Sequence, residues 1–352
     1  MLNNEKGKID SSNYLVCVSC STFNHAKYIT DALNGFSIQK TTFPYVCTIV
    51  DDASTDGEQD IILGYLREHF NLEDKNTVRE EETDDYKLHF AQHKTNDNCF
   101  FAVLYLKYNH YSIKKEKLPY IAEWLGTSKY TALCEGDDYW TDPLKLQKQT
   151  DFLETNPDYG MVYSGHGRYI QKENRFVEGV NVSQTFNDLL VSNKIATHTV
   201  LFRTSLHLKY KKEIWPTAVR RQWKMGDTPK WLFIMAQSKA KYMPDIMGVY
   251  RQLDNSACHF TSYKKDRDFW ISHYDMSLFF AKQYDAPVEL QHKIALNEVE
   301  FLLGMAQSYN ANLNFPFFKH LKEYDLFSWQ RYVSCKMRSS RLGRKLYSAL
   351  KS

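Results

Sequence analysis

Glu135, Asp137 and Asp138 put three carboxylates within four positions, directly after the apolar run Tyr130-Thr131-Ala132-Leu133-Cys134. Carboxylates this close repel one another, and a hard divalent cation that also takes phosphate oxygens as ligands relieves the repulsion. Asp137 and Asp138, with Glu135 beside them, are therefore candidate ligands for Mg²⁺ or Mn²⁺. A solvated acidic turn ahead of a helix explains the same residues without a metal. A second cluster weighs against that plainer account. Asp51-Asp52-Ala53-Ser54-Thr55-Asp56 follows the β-branched run Val46-Cys47-Thr48-Ile49-Val50 in the same manner.

Acidic turns at the ends of short apolar runs need strands to aim them. Val46–Val50 reads as a buried strand, and Thr55 and Glu58 stand at capping-box spacing before a helix with Ile61, Ile62, Tyr65 and Leu66 on one face. Upstream, Leu15-Val16-Cys17-Val18-Ser19 is another strand, followed by Ser21-Thr22-Phe23-Asn24 and a helix carrying Tyr28, Ile29, Ala32, Leu33 and Phe36. Strands alternating with helices imply a parallel sheet covered on both faces. Such sheets bind ligands outside the carboxyl ends of their strands, where both acidic turns fall.

Further along, Asn71–Asp85 is polar and acidic and reads as a solvated loop. From Phe100 to Trp124 aromatic and aliphatic residues alternate with Lys107, Lys114, Lys115 and Lys117. Pro143 suits the first position of a helix that Pro157 stops. Strands follow at Gly160–Ser164 and His198–Phe202, and Asp227 precedes a helix running to about Ala240. Tyr242–Tyr250 leads to Arg251, and the sheet region closes near residue 262. Beyond it Leu290, Ile294, Phe301 and Met305 recur on one face of a helix that Pro287 opens.

Composition narrows the classes. Of 352 residues, 45 are basic and 42 acidic, so a net charge of +3 gives no global case for nucleic acid as a partner. No run of 18 apolar residues occurs and Met1–Asn13 is polar, so neither a membrane span nor a secretory signal is expected, and the location expected is cytoplasmic. Seven scattered cysteines fit a reduced compartment. Cys17 and Cys20 have redox spacing, but Cys17 lies inside a strand, and no further Cys or His pair completes a zinc site. Leu326–Ser352 holds seven Lys and Arg, no acid, and Phe327, Trp329, Tyr332, Leu342, Leu346 and Tyr347. That mixture suits either peripheral contact with the inner face of a membrane or packing on an acidic domain.

Taken in order, Val18-Ser19-Cys20-Ser21-Thr22-Phe23-Asn24, then Ile49–Asp56, then Cys134-Glu135-Gly136-Asp137-Asp138-Tyr139-Trp140-Thr141-Asp142-Pro143-Leu144-Lys145-Leu146 resemble the motif series of family 2 glycosyltransferases of the GT-A fold, bacterial branch. The resemblance is good over roughly residues 14 to 165, thinner to about 260, and absent beyond. It implies an α/β, GT-A-type, Rossmann-like fold: a largely parallel sheet flanked by helices, with a helical C-terminal extension. The expected division is a catalytic domain over residues 1–262 and an α-helical region with a basic aromatic tail over 263–352.

The implied activity is an inverting, metal-dependent hexosyl transfer. The donor is a nucleotide-diphosphate sugar, and the acceptor is a hydroxyl of a glycan or lipid-linked glycan in surface polysaccharide biosynthesis. A nucleobase needs a flat apolar surface with a few directed hydrogen bonds, which Phe23 offers, with Ser21 and Asn24 beside it. By the resemblance, Asp52 accepts the N3 proton of uracil, which favours UDP-sugars, with GDP- and dTDP-sugars next. Asp137 and Asp138 divide metal and ribose contacts, and Asp227 is the general base. Phe23 as a core residue, Asp52 as a turn residue and Asp227 as a helix cap are the plainer alternatives. His198, at a strand end, reads as structural.

One departure stands out. No arginine occurs between Arg79 and Arg168, where similar enzymes often carry one for the diphosphate, so Lys115 or Lys117 is the substitute. A sugar-phosphate nucleotidyltransferase is the nearest enzymatic rival, but Ser19–Asn24 lacks its glycines and arginine. A non-catalytic glycan-binding or scaffold protein of the same fold would be expected to lose acidic motif residues, and none is lost. A dinucleotide-dependent oxidoreductase is disfavoured because no G-x-G-x-x-G follows the first strand.

Overall fold

A computed structural model of the chain describes residues 14–74, 78–253 and 262–351. The polar start Met1–Asn13 and the expected boundary segment just before residue 262 lie outside the described residues, as does 75–77 within the acidic stretch. The chain divides into two compact units. The first takes Met1–Ser183, Lys194–Lys209 and Gln237–Asp254; the second takes Gln184–Asn193, Tyr210–Ala236 and Asn255–Ser352.

The first unit is built on one sheet with eleven strands among the described residues. These are β1 (Val16–Thr22), β2 (Tyr45–Asp51), β3 (Arg79–Glu82), β4 (Tyr86–Gln92), β5 (Cys99–Leu106), β6 (Tyr130–Leu133), β7 (Tyr139–Trp140), β8 (Tyr159–Ile170), β9 (Arg175–Glu178), β10 (Val200–Arg203) and β11 (Lys239–Gln252). Their order is β3-β4-β5-β2-β1-β6-β10-β8-β11-β7, with β9 on β8. The centre, β5-β2-β1-β6, is parallel throughout, and β8 pairs with β11 in parallel. β10 is inserted antiparallel between β6 and β8, and the β3-β4 edge is antiparallel.

All seven residues of β2 are buried, as a central parallel strand with both faces covered requires. Its pleat sends Tyr45, Cys47 and Ile49 to one face, against the helices Ile29–Ser37 and Glu58–His69. Val46 and Val50 go to the other, with Ile121, Trp124 and Leu125 of the helix Leu118–Thr127. Gly35 lets the first helix touch β7, since a Cβ there would sit 2.7 Å from the backbone N of Trp140.

Several sequence expectations are corrected. The acidic stretch ending at Asp85 contains β3, whose Glu80-Glu81-Glu82 run reads as loop by charge but forms a sheet edge, where charge deters edge-to-edge pairing. Thr55 and Glu58 do not form a capping box: Gly57, at φ 92, is the N-cap and makes no side-chain cap. The helix after Pro143 spans Lys145–Thr155, and the one after Asp227 ends at Gln237 because β11 begins at Lys239.

The second unit is helical. Its long helices Tyr263–Gln283 and Val288–Ser308 contribute to a core with Leu302, Leu303, Phe315, Phe317 and Leu321. Pro287 does stand at the N-cap of the second, with Ile294 and Met305 buried, but Phe301 is 39% exposed and lies against Trp270 at 4.5 Å between ring centroids. No helix among the described residues is long and apolar enough to cross a membrane.

Candidate functional site

Parallel pairing brings the exits of β1, β2 and β6 to one edge of the sheet, and hydrogen bonds join the three turns there. Asp52 N–H donates to the Thr22 carbonyl (3.0 Å), and Gly136 N–H to that of Ser21 (3.2 Å). Gly136 is required by this closeness, because a Cβ would fall 2.1 Å from Thr22 Oγ1. Asn24, at φ 57, accepts from Thr55 N (2.8 Å) while its own N–H reaches Ser54 Oγ (2.9 Å). Asn24 thus ties the first turn to the second, and Ser21 and Phe23 beside it are exposed.

Glu58, fully buried, holds the same junction. It accepts from the Thr22 hydroxyl, from His25 N (2.9 Å) and from Ser54 Oγ (2.8 Å). Burial raises its pKa more than these bonds lower it. Capping-box spacing is a local pattern and concealed this longer-range duty.

The two aspartates of the acidic turn differ sharply. Asp137 keeps 21% of its side chain exposed, with Oδ2 3.9 Å from His25 Nε2. Asp138 is 4% exposed. Its Oδ1 accepts the backbone N–H of Arg251 (2.8 Å), and its Oδ2 lies 3.1 Å from His198 Nδ1, out of line for a hydrogen bond. Burial, reinforced by the charge of Asp137, pushes the Asp138 carboxyl well above the usual range. His198 is wholly buried, which lowers it to about 3, with the nearby Lys145 charge contributing. Neither of its ring nitrogens has a hydrogen-bond partner among the described residues.

Arg251, in β11, was not singled out from the sequence. It is 6% exposed and directs Nε at the carbonyl of Asp137 (2.9 Å), Nη1 at Gln171 (2.8 Å) and Nη2 at Asp31 (2.5 Å). Tyr28, Tyr139 and Tyr169 surround its guanidinium at 4.9, 5.1 and 5.5 Å to their ring centroids. In the sequence it is marked only by its place directly after Tyr242–Tyr250.

Asp52 is 1% exposed, and both its oxygens are engaged: Oδ1 by His110 N (2.7 Å), Oδ2 by Tyr111 N (3.1 Å) and Lys117 Nζ (2.9 Å). Burial raises its pKa, but Lys117 and the two N–H donors together hold it below the ordinary value. The Lys117 side chain is 23% exposed, against 1% for that of Asp52. Lys115 is committed to Asp85 (2.9 Å) and the Tyr108 hydroxyl (2.6 Å).

Asp227 belongs to the second unit, whereas the other candidates belong to the first. It starts the helix Thr228–Gln237: its carbonyl accepts from Trp231 N (3.1 Å) and its Oδ1 from Thr228 N (2.6 Å).

Among the described residues no group of three His, Cys, Asp or Glu side chains is arranged to hold a metal. Mg²⁺-like ions ask for less. They bind through one or two carboxylates together with substrate phosphates. The accessible Asp137 beside the buried Asp138 fits that need.

No protein-family model matches the chain. Rv1520, an uncharacterized protein of Mycobacterium tuberculosis (strain ATCC 25618 / H37Rv), is 27% identical over 262 residues, 71% of this chain and 62% of its own length. The chain therefore spans less than two thirds of that relative. Among solved structures, the mannosyltransferase PcManGT from Pyrobaculum calidifontis, in complex with GDP-Man and Mn²⁺, is 13% identical with a TM-score of 0.50, covering 96% of this chain and 88% of that one. S. aureus TarS 1–349 in complex with UDP-GlcNAc is 15% identical, covering 84% and 73%, with a TM-score of 0.47. At such identities the likeness carries the fold alone: a GT-A-type α/β fold with a large, mostly parallel sheet and a helical C-terminus.

Proposed function

We propose that the chain is an inverting family 2 glycosyltransferase of the bacterial branch. In this reading it moves one sugar from a nucleotide-diphosphate donor, a UDP-sugar first, to a hydroxyl of a glycan or lipid-linked glycan in surface polysaccharide biosynthesis. The observation that carries the reading is the accessible Asp137 on a turn hydrogen-bonded to Ser21 at the exit of β1, which also holds the exit of β2 through Thr22, at the edge where open α/β sheets bind ligands.

Breaking the bond between an anomeric carbon and a phosphate oxygen leaves charge on a departing nucleoside diphosphate, and the sugar becomes oxocarbenium-like. Asp137 and Asp138 would hold Mn²⁺ or Mg²⁺, which when bound supplies neutralising charge to the diphosphate. Ser21, Phe23, Asn24 and Asp52 form the donor side, and Asp227 is the proposed acceptor base, a role resting on the motif resemblance. As a base it would take the acceptor's hydroxyl proton during direct displacement, with no covalent enzyme intermediate. The Asp227→Asn variant should keep donor binding and lose turnover by roughly 10²- to 10⁴-fold. Normal turnover would move the role elsewhere.

The cytoplasmic, peripherally membrane-bound placement belongs to this reading too. Its support is the helix Arg341–Lys351, where Leu342, Leu346 and Leu350 recur every four residues at 70%, 54% and 77% exposure among basic residues. Thermal shift with a panel of nucleotide sugars and Mn²⁺ tests the donor assignment. A ligand at a hundredfold its Kd adds about 2.7 kcal/mol of stability.

A further inference from the structure

The short turn Thr197–Thr199 ahead of β10 sets His198 beside Asp138, and the turn's place is fixed by two neighbouring elements. Trp140, in β7 just past the acidic turn, donates its Nε1–H to the His198 carbonyl (2.8 Å). Gln149, in the helix Lys145–Thr155, donates to the Thr199 carbonyl (2.8 Å) and accepts from the buried Lys145 Nζ (2.7 Å). That Nζ lies 4.4 Å from the Trp140 ring centroid, so the two elements are tied to one another as well. On β11, Gly248 makes room for the imidazole, since a Cβ there would fall 2.9 Å from His198 Cδ2.

A histidine buried for packing alone bonds its ring nitrogens to neighbours, because shielding them from water without a partner costs stability that an apolar side chain would not. His198 departs from this. Its side chain is 0% exposed, and neither nitrogen has a hydrogen-bond partner among the described residues. The polar atom that Nδ1 does approach is Oδ2 of Asp138, at 3.1 Å. The distance suits a hydrogen bond and only the direction does not. Functional bonds are often poorly aligned before a ligand arrives and tighten once it has bound.

We infer that His198 is a positioning residue for Asp138: its Nδ1–H holds Oδ2 while the Arg251 N–H holds Oδ1, so the carboxylate meets a divalent cation with its orientation already set. An ionised carboxylate only accepts, whereas Nδ1 can donate from the neutral ring and from the imidazolium alike. Carboxylates that ligate metals are themselves hydrogen-bonded, and loss of such an outer partner costs roughly 10- to 100-fold in metal affinity. The inference rests on the metal-assisted reading above and adds to it a residue that touches neither metal nor donor.

The test is Mn²⁺ binding by the full chain with UDP present, read from the electron paramagnetic resonance of free Mn²⁺, on wild type, His198→Leu, His198→Phe, His198→Asn and Asp137→Ala. Leu and Asn have nearly the same shape, so both vacate the same space, and only Asn keeps a donor close to where Nδ1 stood. His198→Leu should weaken Mn²⁺ binding by roughly 10- to 100-fold. His198→Phe, which keeps a ring and lacks the nitrogens, should do the same, and His198→Asn should recover most of the affinity. Wild-type affinity in the Leu and Phe variants, or a loss in His198→Asn equal to theirs, overturns the positioning role while leaving the metal-assisted reading in place. If wild type binds no Mn²⁺, or Asp137→Ala binds it as wild type does, that reading and the inference fall together.

Discussion

Arg251 and Asp138 lie 113 residues apart and are joined by a 2.8 Å hydrogen bond from the arginine's backbone N–H to the aspartate's Oδ1. The same arginine's Nε holds the carbonyl of Asp137, so one residue of β11 braces both members of the acidic turn. Its guanidinium is too engaged to serve first as a diphosphate ligand. The contacts fit it better to orienting Asp137.

Outer partners of metal-binding carboxylates matter nearly as much as the carboxylates. Arg251→Ala should weaken the apparent Mn²⁺ affinity by roughly 10- to 100-fold. Raised Mn²⁺ should restore much of the activity, and Arg251→Lys should rescue poorly because a lysine cannot reproduce the fork. Titrating activity against Mn²⁺ checks this. A drop in Tm with unchanged Mn²⁺ dependence would mark Arg251 as a packing residue only.

The unequal burial of the two aspartates separates their mutants. Asp137→Ala should abolish metal-dependent nucleotide binding with Tm little changed, since the side chain is partly exposed. Asp138→Ala should also destabilise the fold, by about 1–3 kcal/mol, because the buried N–H of Arg251 loses its acceptor. Denaturant unfolding beside metal titration distinguishes the two. Equal stability losses would show that the burial difference does not govern them.

Much of this arrangement was legible in sequence. The β-branched run Val46–Val50, the apolar run Tyr130–Cys134 and the acidic turns after them follow local rules, and the parallel direction of β1, β2 and β6 follows from strand-helix alternation. Arg251 was not legible, since only the register of β11 on β8 and β7 brings it to the turn. β3 was hidden because a charged edge strand has the composition of a loop. The lysines of the segment after β5 were visible, but their commitment to Asp52 and Asp85 depends on how that segment folds back over β2.

In the helical unit, Glu298 is 4% exposed and burial raises its pKa to about 8, with Asp275 and Glu323 adding repulsion. His320 Nε2 lies 3.3 Å from Glu298 Oε2 and 3.1 Å from the Ala295 carbonyl, and its own pKa is lowered by burial, so the pair is neutral in the fold. A folded-state pKa above the unfolded one means the folded chain holds the extra proton. That contribution is complete below about pH 4.5 and is lost as pH rises toward 8, at up to about 1.4 kcal/mol per pH unit. Glu298→Gln should flatten the decline of Tm between those limits. An unchanged slope would place the pH dependence elsewhere.

The C-terminal helix makes a further claim on measurement. Full-length protein should co-sediment with anionic vesicles at low ionic strength, and salt should weaken the association. Replacing Leu342, Leu346 and Leu350 with Ser should reduce it without changing Tm, as all three are exposed. Indifference to vesicles at low salt would assign the stripe to another partner.

The most direct measurement is binding of UDP to the full-length chain with Mn²⁺, with EDTA, and with Mn²⁺ in the Asp137→Ala variant. The account predicts binding in the first condition and a loss of at least roughly tenfold in the other two. UDP binding that ignores chelation and the Asp137 substitution, or no nucleotide-diphosphate binding at all, would contradict a metal-assisted donor site on the acidic turn.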